Sequence, residues 1–273
     1  MEAIRINNGI YTGSAGRKSL FDLEVPARWN KGLVIFVHGF MGFKDWGAWN
    51  LVQSYFVSHG FAFAKFNLTH NGGTPTQGID FPDEEAFAQN TYSYEVADIA
   101  YFRSHIATLV HAEATFLIGH SRGGGDVILH AKQVQTDKIA LWASISDIGS
   151  RFPTGPELEA WKHSGIRTIL NGRTRQHLPQ HYSLYQDVIE NKTTLTIERA
   201  IKALPIPMLV VHGDADSSVS IVEGEALASW SQTNLNIIPG ADHVFGASHP
   251  WEKPDLPEHL LASCERTLNF FNL

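Results

Sequence analysis

The sequence has a single cysteine, Cys264, so one chain cannot form a disulfide with itself. It has no apolar run approaching the roughly 20 residues of a membrane-spanning helix. Residues 1–8 lack the apolar core of a signal peptide. These absences favour a reducing compartment, and we expect a cytoplasmic protein.

Basic residues are also in short supply, with 21 Lys and Arg against 28 Asp and Glu, which gives a formal net charge of −7. Nucleic acids and anionic membranes are bound by basic surfaces. We therefore expect neither as a partner, and a small molecule is the expected ligand.

Metal-ligand patterns are missing as well, although the chain has 14 histidines. No H-E-x-x-H motif and no cysteine cluster occurs. His177 and His181 are four residues apart, but their segment is not predicted to be helical. The sequence predicts no metal and no other cofactor.

From about residue 31 onward, short apolar runs alternate with helical patterns. Residues 33–37 are wholly apolar, whereas residues 92–109 carry apolar side chains at helical spacing. This alternation predicts an α/β domain over residues 1–273, built on a mostly parallel twisted sheet with helices on both faces. The first thirty residues are predicted to form an antiparallel hairpin.

One motif carries the most information about function, namely Gly119, His120, Ser121, Arg122 and Gly123. It follows an apolar run at residues 114–118 and precedes a helical pattern at residues 126–131. G-x-S-x-G between a strand and a helix is typical of a strained turn that exposes a nucleophilic serine hydroxyl. The helix N-terminus there favours developing negative charge.

An acid and a base follow the serine along the chain. Residues 207–211 are predicted as a buried strand that ends near Asp214 and Asp216. Residues 235–238 are predicted as another strand, which the loop with His243 follows. His243 is therefore the expected base, with His249 as its closest rival. Either aspartate could supply the acid.

In this combination the sequence resembles the α/β-hydrolases, in which serine, acid and histidine follow in this order. Within them it resembles the esterase and dienelactone-hydrolase-like branches. The resemblance implies the α/β-hydrolase fold. It also selects Asp216 as the acid, through the pattern His-Gly-x-x-Asp-x-x-Val that begins at His212. Asp214 is then a turn residue.

The same resemblance predicts an oxyanion hole. One donor is the backbone N–H of Arg122, directly after the serine. The other is the N–H of Phe40, which follows His38 and Gly39, with Met41 as the alternative donor and a possible substrate contact. His38 is expected to organise the loop, and the Arg122 side chain to pair with a neighbouring carboxylate.

Residues 146–204 contain no strand that fits the alternation, and the resemblance implies a lid over the active site there. Connections of this length in compact domains usually have a function. The aromatic residues Tyr182 and Tyr185 are predicted to line the substrate pocket. His70, in a loop after a strand, and His249 are further predicted substrate contacts.

These observations predict a serine hydrolase that cleaves a carboxylic ester through an acyl-enzyme. The same triad could hydrolyse thioesters, amides or peptides. A ligand-binding protein on the same fold is the alternative of another class, although such proteins typically lose a triad member.

Overall fold

The structure is a computed structural model that describes residues 2–272. Its strands are β1 (Ile4–Thr12), β2 (Lys18–Val25), β3 (Gly32–Val37), β4 (Ala62–Phe66), β5 (Ala114–His120), β6 (Lys138–Trp142), β7 (Ile166–Leu170), β8 (His177–His181), β9 (Met208–Gly213) and β10 (Leu235–Ile238). Its α-helices are α1 (Trp49–Ser58), α2 (Glu84–Ala88), α3 (Tyr92–Ala107), α4 (Arg122–Ala131), α5 (Pro156–Ser164), α6 (Ser183–Glu190), α7 (Ile197–Lys202), α8 (Ile221–Trp230) and α9 (Glu258–Asn272).

Eight strands form one sheet in the order β1-β2-β4-β3-β5-β6-β9-β10. The pairs β1–β2 and β2–β4 are antiparallel, and the other five pairs are parallel. Every residue of β3, β4 and β9 is buried, which explains why these strands are apolar apart from Lys65 and His212, since helices cover both faces of such strands. The predicted α/β fold is therefore confirmed.

Alternate residues of β3 divide the core into two layers. Val34 and Phe36 pack in the layer that includes α1 and α9. Leu33, Ile35 and Val37 pack in the layer that includes α3, α4 and α8. This alternation follows from the two-residue period of a strand. Within residues 2–272, no helix is at once long and apolar enough to cross a bilayer.

The segment between β6 and β9 contains α5, β7, β8, α6 and α7. Strands β7 and β8 form a separate antiparallel pair, in which Arg167 lies opposite Gln180 and Ile169 lies opposite Leu178. The connection between these strands begins at Asn171-Gly172, a residue pair typical of hairpin turns. Leu178 is fully buried in a cluster with Phe43, Phe81 and Phe87, which fixes this hairpin to the body of the domain.

Candidate active site

The turn at Ser121 joins β5 to α4 with a φ of 57° and a ψ of −122°, a conformation that is costly for a residue with a side chain. A Cβ atom on Gly119 would lie 2.4 Å from the carbonyl oxygen of Gly123, and one on Gly123 would lie 2.5 Å from that of Val37. Both positions therefore require glycine. The Ser121 N–H donates to the Trp142 carbonyl at 2.9 Å, which ties the turn to β6.

A chain of hydrogen bonds links three side chains from three strand ends. Ser121 Oγ lies 3.0 Å from His243 Nε2, and His243 Nδ1 lies 2.8 Å from Asp216 Oδ2. A carboxylate can only accept, so Nδ1–H donates to Asp216 and Nε2 is left to accept from the serine hydroxyl. The structure thus brings together the three residues predicted as a triad.

Asp216 is held as an anion by several donors. Its Oδ1 accepts from the N–H groups of Ser218 and Val219 at 2.8 and 2.9 Å. Burial alone would raise the pKa of Asp216, but hydrogen bonds from His212, His243 and Val219 outweigh it and hold the pKa well below its usual range. The carboxylate therefore stays ionised and can stabilise a positive charge on His243.

The neighbouring aspartates have different surroundings. Asp214 Oδ1 accepts from the Gly240 N–H at 2.6 Å, and Asp214 is exposed. Asp242 Oδ1 accepts from the Gly246 N–H at 2.8 Å, within the loop that carries His243. Both side chains stabilise loops, as the sequence suggested for residues of this type.

The loop after β3 runs directly over the serine. A Cβ atom on Gly39 would lie 2.8 Å from the Ser121 Cβ. The amide N–H groups of Phe40 and Arg122 make no hydrogen bond with any residue from 2 to 272. Met41 has a φ of 55° at the bend of this loop. Two backbone donors beside the serine are thus free to receive an oxygen atom.

His38 holds the same loop in place through two hydrogen bonds. Its Nδ1 donates to the Gly39 carbonyl at 2.9 Å, and its Nε2 accepts from the Leu68 N–H at 3.2 Å. Burial lowers the pKa of His38 to about 4, so it remains neutral near pH 7. Its surroundings match the structural role that the sequence predicted.

His120 has a supporting position that the sequence analysis did not identify. Its Nε2–H donates to the His243 carbonyl at 2.9 Å and so holds the backbone of the loop that carries the imidazole. Burial, together with the nearby His243, lowers the pKa of His120 to about 3. The only signal in the sequence was its place beside Ser121 at the end of β5.

Two cavities of about 360 and 230 Å³ meet at the serine, and both are lined by Phe40, Ser121 and His243. The remaining lining of the larger cavity is Arg122, Ile145, Arg151, Phe152, Arg167, Ile169, Gln180, Leu184, Ser218 and Val219. The remaining lining of the smaller cavity is His38, Gly39, Met41, Gly42, Trp46, Trp49, His120, Asn171, Arg173 and Val244.

Of the five predicted substrate contacts, only Met41 lines one of these cavities. His70 is buried against the Tyr94 ring, with 4.5 Å between the ring centroids. His249 accepts from the Gly47 N–H at 2.9 Å and packs against Phe43. Both histidines are therefore occupied by contacts within the protein.

Tyr182 and Tyr185 do not line the two cavities either. Their rings pack on each other, and both pack on Trp161. The aromatic content of the segment therefore builds its small core. The residues that reach the cavities from this segment are instead Arg151, Phe152, Arg167, Ile169, Asn171, Arg173, Gln180 and Leu184. No pattern in the β7 sequence, Ile-Arg-Thr-Ile-Leu, marks Arg167 and Ile169, because its apolar and polar residues do not alternate.

Comparison with known proteins places this geometry in context. Residues 34–255 match the sequence model described as the alpha/beta hydrolase family. No curated protein matches the sequence significantly.

Several solved structures resemble this one over nearly its whole length. Est1E from Butyrivibrio proteoclasticus with bound ferulic acid has 19% identity and a TM-score of 0.73, over 97% of this chain and 98% of that one. The esterase domain of a Rhodothermus marinus protein has 15% identity and a TM-score of 0.63, over 98% and 97%. Dienelactone hydrolase from Anabaena variabilis has 14% identity and a TM-score of 0.64, over 100% and 98%. At these identities the likeness concerns the fold.

The buried neutral histidines predict that the protein loses stability in acid. An unfolded histidine titrates near pH 6.5, whereas the pKa of His120 is about 3 and that of His38 about 4 in the folded chain. Their contribution to the free energy of unfolding is therefore complete above about pH 6.5. It is lost as the pH falls toward these values, by about 1.4 kcal/mol per pH unit for each histidine.

Urea unfolding between pH 7 and pH 5 measures this dependence. His120→Gln should lower the slope of unfolding free energy against pH by about 1 kcal/mol per pH unit on average over this range, since the unfolded histidine is only partly protonated near pH 7. His163→Gln removes an exposed histidine of α5 and should leave the slope unchanged. An unaltered slope in His120→Gln would show that His120 titrates normally in the folded protein.

Proposed function

Because the chain belongs to the alpha/beta hydrolase family, we propose that it hydrolyses a carboxylic ester with Ser121 as the nucleophile. The observation that carries this proposal is the hydrogen-bonded order Asp216–His243–Ser121 at the junction of two cavities. A serine hydroxyl reacts slowly at neutral pH unless a base lies within hydrogen-bond reach, and His243 Nε2 meets this condition.

In the proposed reaction, Ser121 Oγ attacks the acyl carbon while its proton passes to His243 Nε2. The resulting imidazolium is stabilised by the Asp216 carboxylate through Nδ1–H. Collapse of the tetrahedral intermediate releases the alcohol, which takes the proton from His243. A water molecule, deprotonated by His243, then attacks the acyl-enzyme and frees the acid together with Ser121.

The negative oxygen of the tetrahedral intermediate would be bound by the free N–H groups of Phe40 and Arg122. Met41 is the alternative donor in the loop. Because Arg122 is the first residue of α4, the positive end of the helix dipole adds to the stabilisation. Removing one such donor typically lowers the rate by about 10²- to 10³-fold.

We further propose that residues 146–204 act as a lid that determines which substrates enter the larger cavity. Support comes from Phe152 in the connection between β6 and α5, Ile169 of β7 and Leu184 of α6, which all line that cavity with Ser121. Apolar side chains of this kind select substrates by size and shape.

A panel of p-nitrophenyl esters from acetate to palmitate, extended with matched thioester and anilide substrates, tests the proposed reaction. The wild-type protein should release p-nitrophenol from part of the ester series. Ser121→Ala should lower kcat by at least about 10³-fold, because the nucleophile is lost. The midpoint temperature of thermal unfolding of Ser121→Ala should differ little from that of the wild-type protein.

If Ser121→Ala retains more than a few per cent of the wild-type turnover, the nucleophile lies elsewhere. A preference for thioesters or anilides would assign the triad to that reaction instead.

Asp216→Asn should lower kcat by about 10⁴-fold, because the amide favours the wrong imidazole tautomer. Asp214→Asn is the matched control, since the one side-chain hydrogen bond of this exposed residue within residues 2–272 is accepted from the Gly240 backbone, and its kcat should change less than about threefold. Steady-state kinetics of the two variants on the best ester of the panel give the comparison. The opposite ranking would move the catalytic acid to Asp214.

The lid proposal is tested by two neighbouring substitutions on opposite faces of β7. Ile169→Ala enlarges the larger cavity and should shift the optimum of the ester panel toward longer or bulkier acyl or alcohol groups. Leu170→Ala removes a side chain that is half exposed and should leave the order of preference unchanged. An identical profile for Ile169→Ala and wild type would count against a lid that selects substrates.

A further inference from the structure

Three arginine side chains line the larger cavity, and they differ in how their charges are balanced. Arg122 Nη1 donates to Glu95 Oε1 at 3.3 Å, and Arg151 forms an ion pair with Glu223. Arg167 pairs with no carboxylate among residues 2–272. Among residues 2–272, Arg167 is therefore the one arginine of this cavity that forms no ion pair.

The Arg167 side chain is held in one position although it has no ion-pair partner among the described residues. Its Nε and Nη2 donate to Gln180 Oε1 at 2.8 and 2.5 Å, from the facing residue of the β7–β8 pair. Its guanidinium lies 4.0 Å from the centroid of the Trp161 ring. Stacking and a fixed hydrogen-bond fork pre-organise the group, so little side-chain entropy is left to lose when a ligand binds.

Gln180 is buried, with 3% of its surface exposed, yet it lines the cavity. Its amide oxygen already accepts from Arg167, which leaves its Nε2 as a donor. Neither Gln180 Nε2 nor Arg167 Nη1 makes a hydrogen bond with any side chain or backbone group in the part of the chain described. The cavity wall thus has two hydrogen-bond donors, Gln180 Nε2 and Arg167 Nη1, that have no acceptor within the described part of the protein.

The electrostatic surroundings make an anion the fitting ligand. Burial, followed by the charge of nearby Arg122, lowers the pKa of Arg167 from its usual value, and the weaker opposing effect of Glu157 only partly offsets these two causes. A guanidinium nevertheless remains protonated near pH 7. A partly buried positive charge is stabilised most by an anion that accepts hydrogen bonds from it.

We propose that the substrate carries a carboxylate, remote from the scissile ester, that binds Arg167 and Gln180 in the larger cavity. This inference rests on the proposed ester hydrolysis and names the substrate class of that same site. A carboxylate fits better than a doubly charged phosphate because only one of the three arginines that line this cavity has no ion pair among residues 2–272. The planar, forked donors of arginine suit two carboxylate oxygens.

Paired substrates that differ only in this charge test the proposal. Ethyl 4-carboxybenzoate is compared with its neutral analogue ethyl 4-carbamoylbenzoate, which places the carboxylate on the acyl side. 4-Acetoxybenzoate is compared with 4-acetoxybenzamide, which places it on the alcohol side. The quantity measured is the ratio of kcat/KM for the acid to kcat/KM for the amide, because this ratio does not depend on the fraction of enzyme that is folded.

In at least one pair, the wild-type ratio should exceed about 10, since hydrogen bonds to a charged group give about 10- to 100-fold discrimination. Arg167→Met should lower that ratio by about the same factor, and Arg167→Lys should restore part of it. Arg175→Met is the matched control, because it removes the same charge from an exposed position in the same hairpin. Its ratio should equal that of wild type.

The possible outcomes separate this inference from the proposed function. Hydrolysis of both members of each pair at equal rates, or a ratio that Arg167→Met does not change, would overturn the carboxylate site and leave ester hydrolysis standing. Failure of the wild-type protein on these substrates and on the whole p-nitrophenyl panel would contradict ester hydrolysis itself, and the inference with it.

Discussion

The backbone around Ser121 is so crowded that only glycine fits at positions 119 and 123, and the position of Ser121, the proposed nucleophile, depends on that crowding. The carbonyl oxygens of Gly123 and Val37 lie within 2.5 Å of the places where Cβ atoms of Gly119 and Gly123 would be. The turn is thus packed tightly between β3 and the start of α4. Such packing holds Ser121 at a positive φ, a conformation that costs of order 1–3 kcal/mol. The same packing places the free N–H of Arg122 beside the loop that carries Phe40.

The proposed acid–base pair depends on a second set of constraints, in which burial and hydrogen bonds fix the protonation state of each side chain. Asp216 remains ionised because backbone and imidazole donors outweigh its burial. His120 remains neutral and donates its one N–H to the His243 carbonyl. The imidazole of His243 is therefore oriented in two ways. The Asp216 carboxylate holds its ring, and the hydrogen bond from His120 holds its backbone. Pre-organisation of this kind reduces the rearrangement that the reaction requires.

Local motifs explain why the positions of Ser121, Asp216 and His243 could be predicted from the sequence. They also explain why the residues that line the cavities could not. Ser121, Asp216 and His243 each follow a strand with a recognisable turn, so the order of the strands predicted that their loops meet at one edge of the sheet, and the family resemblance selected Asp216 over Asp214. Side-chain direction in the segment between β6 and β9 depends on non-local packing, which no short pattern encodes. Tyr182 and Tyr185 pack around Trp161. The environment of Arg167 becomes visible only through its pairing with Gln180 across two strands.

Covalent labelling tests the central claim, that Ser121 is an activated nucleophile, most directly. The protein is treated with a fluorophosphonate probe and its peptides are mapped by mass spectrometry. A single adduct is expected on Ser121, and Asp216→Asn should slow its formation strongly, because the base is then wrongly oriented. Asp214→Asn should label at nearly the wild-type rate. An adduct on a different serine, or no adduct on the folded wild-type protein, would contradict the account.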